Sequence, residues 1–224
     1  MAEAGSYGTA RTGNWLWALL FGATLLLMEF ILLAALVPTS WSERVRETEL
    51  AWLYAGLGAR TAAGVVQRAE DWYGALFVST KVVETSYRIT LPSDEDVTKA
   101  GALSPLATLP LWSWVAGRLD VVWAALRQAL QRLAMLMAWW PFLLLLLAAA
   151  WGDGWVRRRI RQSGFAYASP LAHAYALRGI FVVFVLLGLV LFLPLPVPAV
   201  GVPVAGALVT ALVGVVVANA QKRL

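Results

Sequence analysis

Long runs of apolar residues recur along the chain, and they predict four membrane-spanning helices. The runs cover residues 15–37, 133–151, 179–193 and 200–218. About 20 apolar residues in a helix cross a hydrocarbon core about 30 Å thick. Proline cannot continue a helix, so the Pro-rich segment 194–198 predicts a tight turn that joins the last two runs as a helical hairpin. The first run is too long for a cleaved signal peptide, whose apolar core is about 7–15 residues.

The third run is short, and the residues before it predict an earlier helix start. Ser169 followed by Pro170 is typical of an N-cap with proline at the first helical position. The helix is therefore expected to begin there, with Arg178 extending its stem toward the lipid headgroups.

The segment 38–132 between the first two runs also has a helical pattern. One long helical stretch is predicted from Trp41 to about Tyr87, with a break or a close packing contact at the glycines Gly56, Gly58 and Gly64. A second stretch begins at Leu111 and continues into the second apolar run. Its apolar residues recur at three- and four-residue spacing and predict the face that packs against the first stretch: Leu119, Val122, Leu126, Leu130, Leu133 and Met137. No strand pattern of any length is present.

The distribution of charge predicts the orientation in the membrane. Segments 1–14, 152–178 and 219–224 together hold 8 basic and 2 acidic residues, whereas segment 38–132 holds 10 of each. Short loops rich in arginine stay in the cytoplasm. Both termini and an Arg-rich loop at 152–178 are therefore expected in the cytoplasm, with 38–132 outside. The sequence thus predicts an all-α membrane protein with four transmembrane helices and a helical periplasmic extension between spans one and two.

Composition narrows the chemistry that is open to the chain. Hydrophobic residues make up 60 % and charged residues 14 %, against about 25 % charged residues in soluble domains. There is no cysteine and one histidine, His173, which excludes a disulfide frame, thiol catalysis and a His-rich metal site. No phosphate-binding loop or zinc motif occurs. We therefore expect that the chain is not an enzyme and that it holds no cofactor.

Glu29 is the one ionisable residue deep within a predicted span. Eight residues at 1.5 Å each place it about 12 Å from the outer end of this span. A carboxyl group in a membrane span is costly and marks a functional candidate. Three interpretations remain open: a neutral glutamic acid hydrogen-bonded between helices, a proton or ion relay, and a contact with another protein.

Small residues recur at intervals of four in the last span. This spacing is typical of faces along which membrane helices approach closely, and its members are Gly206, Thr210, Gly214 and Ala218. They predict either helix packing within the chain or an oligomer.

Four arginines follow the second span, namely Arg157, Arg158, Arg159 and Arg161. They predict contact with an acidic partner surface or with anionic lipid, or they serve as a topology signal alone. No aromatic platform accompanies them, so direct nucleic-acid binding is not expected.

The second half resembles a known family on the residues around this arginine cluster. Asp153-Gly154-Trp155-Val156-Arg157-Arg158-Arg159-Ile160-Arg161 closes an apolar span, and His173-Ala174, an apolar hairpin and a basic C-terminus follow. This arrangement is similar to that of inner-membrane proteins encoded in integrating conjugative elements. The stretch from Glu43 to Leu53, with acidic and basic residues followed by Trp52-Leu53, resembles the start of their outer segment. The resemblance implies a component of type IV secretion-like DNA-transfer machinery.

The resulting hypothesis is a non-catalytic subunit of a conjugative transfer apparatus in the bacterial inner membrane. It would act through contacts with other membrane components of the apparatus, for example a coupling ATPase. Two alternatives stay open: a small transporter or channel centred on Glu29, and an entry-exclusion or regulatory membrane protein. A transporter should show paired polar residues or broken helices at the midplane, which the sequence lacks.

Overall fold

A computed structural model describes residues 13–92, 110–164 and 169–220, with side chains from residue 16 onward. These ranges form seven α-helices and one π-helical turn and contain no strand, which confirms the all-α prediction for this part of the chain. The helices are α1 (Gly13–Leu36), α2 (Thr39–Leu57), α3 (Ala59–Tyr73), α4 (Val82–Thr90), α5 (Pro110–Ser163), α6 (Pro170–Phe192) and α7 (Gly201–Ala218), and the π-helical turn, Gly74–Val78, follows α3.

Four of these helices, α1, α5, α6 and α7, are long and apolar enough to cross a membrane. We name α1, α6, α7 and the second half of α5 the apolar bundle. α5 and α7 run in the same direction, because Gly206 lies against Leu143 and Gly214 against Ala150. α1 and α6 also share a direction, since facing pairs advance together along both helices: Gly22 with Val185, Leu26 with Gly188, and Phe30 with Phe192.

The start of α6 agrees with its sequence signal. Ser169 is the N-cap, its side chain accepts a hydrogen bond from the Ala172 N–H, and Pro170 occupies the first turn. The helix ends at Phe192, immediately before the Pro-rich turn. α6 and α7 therefore form the predicted hairpin.

The segment after α1 folds back on itself to form what we name the helical layer: α2, α3, α4 and residues 110–132 of α5. The break in the long predicted helix falls at Gly58, whose φ of 74° suits glycine. α2 and α3 are antiparallel, and Glu70 of α3 lies 3.7 Å from Arg46 of α2. The tip of this α2–α3 hairpin packs into a core with Ala199 and Val202, where α7 begins.

α5 is a single helix of 54 residues, so the predicted loop at 152–178 is partly wrong. Residues 152–163 continue the helix, and the arginine cluster lies on its last turns. The sequence around these arginines contains no proline, and arginine favours helix, so nothing ends the helix at the edge of the apolar run.

The predicted packing face of α5 is partly wrong. Leu130 packs against the core, but Leu133 and Met137 are exposed, and the most buried residues of the helical layer and the adjoining turn of α5 are Val121, Ala125, Gln128, Ala129, Gln131, Arg132, Ala134 and Met135. Small side chains on this buried stripe let α2 and α3 approach closely. The larger leucines lie at its margins, where they are half-buried or exposed.

Candidate functional site

A buried ion pair joins the helical layer to the apolar bundle. Arg132 on α5 is 3 % exposed and Glu49 on α2 is 4 % exposed. The guanidinium donates to Oε1 of Glu49 from Nη2 at 2.5 Å and from Nε at 3.0 Å. Such two-point contacts between arginine and carboxylate combine charge with fixed geometry.

The remaining donors of Arg132 reach the end of α6. Nη1 donates to the carbonyls of Val190, Leu191 and Leu193, and Nη2 donates to the Leu195 carbonyl at 2.8 Å. The last four carbonyls of a helix have no partner within it, and the prolines that follow supply no N–H. Arg132 therefore caps α6, and its positive charge suits the negative end of the helix dipole.

Glu49 completes this network from the other side. Its Oε1 also accepts a hydrogen bond from the Val197 N–H at 2.8 Å, which fixes the Pro-rich turn against α2. Nearby, the Trp41 indole donates to the Pro194 carbonyl at 2.7 Å. We name the set formed by Glu49, Arg132 and the backbone of 190–197 the Arg132 network.

A second arginine holds the end of α1. Arg118 of α5 donates to the carbonyls of Ala35 and Val37 at 3.3 and 2.9 Å, so it caps this helix as Arg132 caps α6.

Farther along the layer, the Tyr87 hydroxyl donates to Asp120 at 2.5 Å. Burial, and then the hydrogen bond and the charge of Asp120, raise the pKa of the Tyr87 phenol above its usual range, which keeps it a neutral donor.

Glu29 lies closer to the end of the bundle than its place in the apolar run suggests. The adjacent Phe30 packs edge to face on Phe192, the last residue of α6, with ring centroids 5.8 Å apart. The C-terminal turns of α1 pass the end of α6 and pack on α5 through Leu33 and Val37. Oε2 of Glu29 is screened from solvent and has no hydrogen-bond partner among the described residues.

The four arginines at the end of α5 differ in their surroundings. Arg157 is exposed and pairs with Asp153 at 2.9 Å, and Arg159 stacks on Trp155, with 4.8 Å from Cζ to the ring centroid. Arg158 is half-buried. Arg161 donates to Oδ1 of Asn219 at 2.6 Å and so ties the end of α5 to the end of α7.

The small-residue face of α7 lies along α5. A Cβ at Gly206 would meet Leu143, and one at Gly214 would lie 3.4 Å from the Ala150 carbonyl oxygen. Thr210 and Ala218 are buried. The shortest distance to a backbone atom involves a glycine outside the predicted face: a Cβ at Gly154 would lie 2.7 Å from the Gly214 carbonyl oxygen.

Sequence reasoning missed the Arg132 network, although one signal for it was present. Glu49 shares a stripe at four-residue spacing with Val45 and Leu53, so a carboxylate occurs where an apolar residue is expected. Arg132 immediately precedes the second apolar run.

Within the described ranges, no group of His, Cys, Asp and Glu could hold a metal ion.

These features define an all-helical protein with four apolar helices of membrane-spanning length, joined to a helical layer by a buried ion pair. Residues 34–224 match the family described as "IncC plasmid conjugative DNA transfer protein DtrJ-like", and the chain belongs to this DtrJ-like family. The resemblance to proteins of conjugative elements is thereby confirmed, and the family gives the chain a role in conjugative DNA transfer. Searches of curated proteins and of solved structures returned no match.

Proposed function

We propose that the chain is a non-catalytic inner-membrane subunit of a conjugative, type IV secretion-like apparatus and that it acts through protein–protein contacts. In this proposal both termini and the arginine end of α5 lie in the cytoplasm, and the helical layer lies in the periplasm. The partners are other membrane components of the apparatus. The candidate partner at the arginine end is a coupling ATPase, and anionic lipid binds at the same end.

The length of α5 is the observation that carries this proposal. Its 54 residues at 1.5 Å each extend about 81 Å, whereas a hydrocarbon core is about 30 Å thick. One continuous helix, which contains Pro141 in its apolar half, thus connects the helical layer to the arginine end, so the chain presents a surface on each side of a membrane. A subunit that links partners across the membrane needs this arrangement.

The test removes charge from the arginine end without disturbing the contact to α7. Arg157, Arg158 and Arg159 are replaced together by Gln, and Arg161 is kept because it binds Asn219. In donor cells we expect a loss of about tenfold or more in recovery of the cytoplasmic partner after crosslinking and affinity purification, with a parallel fall in DNA transfer.

The matched control removes charge from the helical layer through Arg60→Gln and Arg68→Gln, both at exposed positions of α3. It should leave recovery of the cytoplasmic partner unchanged. Insertion of both variants is verified by thiol labelling from each side. Unchanged partner recovery in a correctly inserted triple variant, at physiological salt, would reduce the arginine end to a topology signal.

A further inference from the structure

A groove runs along one side of α1, between this helix and the end of α6. Its volume is about 480 Å³, and its walls are apolar except for the carboxyl group of Glu29. The rim on α1 is strongly exposed, with Met28 at 57 %, Leu32 at 46 % and Leu36 at 70 %. α1 therefore uses one face to pack on α6 and leaves the face beside Glu29 uncovered.

The carboxyl group in this groove lacks a donor. Oε2 of Glu29 is screened from solvent and unpaired among the described residues. A buried acceptor left without a partner is unfavourable, and hydrocarbon offers no water in its place. A neighbour that supplies an N–H to this oxygen would remove this cost.

Three long donor side chains near this end of the bundle are already engaged. Arg132 binds Glu49 and the end of α6, Arg118 caps α1, and the Trp41 indole binds the Pro194 carbonyl. The amide Nε2 of Gln128, on the buried stripe of α5, is buried and has no partner among the described residues, and it does not bind Glu29 either. No described side chain therefore donates to Oε2 in this structure.

We propose that this groove binds a membrane-spanning helix of another transfer component, and that a basic or amide side chain on this helix binds Glu29. This rests on the proposed function and names the chemistry of one partner. A second copy fits less well, because a two-fold contact along α1 would bring one Glu29 toward the other, and neighbouring carboxylates disfavour each other's charge. A lipid chain would fill the apolar walls but leave Oε2 without a donor.

The test uses photocrosslinking in donor membranes with the full-length chain. p-Benzoylphenylalanine replaces Met28 or Leu32 at the rim of the groove, and it replaces Leu27 or Ile31 as controls. The two control positions are exposed on α1, but each points roughly 160° away from Glu29 on a helix with 3.6 residues per turn. We expect the rim positions to give an adduct with a different membrane protein, about tenfold stronger than at the control positions.

A second pair of variants tests the role of the carboxyl group. Glu29→Ala should remove the adduct, because the hydrogen bond is lost. Glu29→Gln should retain most of it, because the amide keeps an acceptor of the same size. Both variants are first shown by thiol labelling to insert normally, and an adduct that persists in Glu29→Ala would overturn the role of this residue.

The remaining outcomes separate this proposal from the proposed function. An adduct between two copies of the chain would overturn it in favour of a dimer. Absence of any protein adduct at the rim, while the cytoplasmic partner is still recovered through the arginine end, would show a lipid-filled groove and leave the proposed function intact. Absence of the rim adduct together with failure to recover the cytoplasmic partner would reject this proposal and the proposed function.

Discussion

At the scale of single residues, Arg132 connects three parts of the chain that are far apart in sequence. Its guanidinium binds α2 through Glu49 and caps α6 through four backbone carbonyls. A buried ion pair adds little net stability by itself, because desolvation offsets the attraction, but removing one partner is strongly destabilising. The network therefore specifies how the helical layer sits on the bundle.

Replacing Arg132 is expected to destabilise the protein severely. Arg132→Ala leaves the Glu49 carboxylate with the Val197 N–H as its one remaining donor among the described residues and removes the side chain that caps α6, at a cost of about 3–5 kcal/mol. Arg132→Lys should restore only part of this loss, because an ammonium group cannot match the planar fork of guanidinium. The free energy of unfolding of detergent-solubilised protein measures both effects.

Arg127→Ala is the matched control for this prediction. Arg127 pairs with Glu70 at 3.4 Å, and both side chains are more than a third exposed. Exposed pairs contribute about 0–1 kcal/mol. Equal losses for Arg127→Ala and Arg132→Ala would show that burial does not set the importance of the Arg132 network.

At the scale of helices, the contact between α5 and α7 depends on glycine. Gly154 faces the backbone of Gly214, where an added Cβ would lie 2.7 Å from the carbonyl oxygen of Gly214 and 3.0 Å from Cβ of Val217. Backbone cannot move aside as a flexible side chain can. The position therefore excludes even a methyl group without a shift of one helix.

Gly154→Ala should therefore destabilise the bundle, by about 1–3 kcal/mol as for other overpacked sites. Gly152 lies two residues earlier in the same helix, and a Cβ added there would have no neighbouring atom within 4 Å. Gly152→Ala should be neutral or stabilise by about 0.5–1 kcal/mol through helix propensity. Thermal unfolding of the two variants in the same detergent compares them, and a loss in Gly152→Ala as large as that in Gly154→Ala would contradict this interpretation.

The helices could be predicted from sequence where the signal is local. Apolar runs predicted α1, α6 and α7 because length and composition within one segment suffice, and Ser169-Pro170 located the start of α6. The partner of Arg132 could not be found in this way, since Glu49 is 83 residues distant. Likewise, the buried stripe of α5 carries Ala and Arg at positions where Leu is expected, because close neighbours favour small side chains and Arg132 makes hydrogen bonds that the periodicity of hydrophobic residues does not reveal.

At the scale of the whole molecule, the four apolar helices alternate in direction. α1 and α6 run one way, and α5 and α7 run the other, as four successive membrane crossings would require. The side that faces the cytoplasm is a prediction from the charge distribution. Ser79, which is exposed between the π-helical turn and α4, is a suitable probe site for this prediction.

Single cysteines test this orientation directly, because the chain has none of its own. Ser79→Cys should react with a membrane-impermeant thiol reagent added to spheroplasts, since the helical layer is expected outside. Ser163→Cys, at the arginine end of α5, should react only after permeabilisation. Reversed labelling would place the helical layer in the cytoplasm and overturn the location proposed for the partners.

The Arg132 network also imposes an order on biogenesis. Glu49 and Arg132 leave the ribosome well before residues 190–197, which supply the carbonyls that Arg132 caps and the N–H that binds Glu49. Until the last hairpin has inserted, the nascent chain carries an arginine whose binding partners are only partly present. In the proposed topology, the final two crossings would therefore complete the hydrogen bonds that hold the earlier ones, and a chain that stops before them would leave Arg132 without the carbonyls it caps.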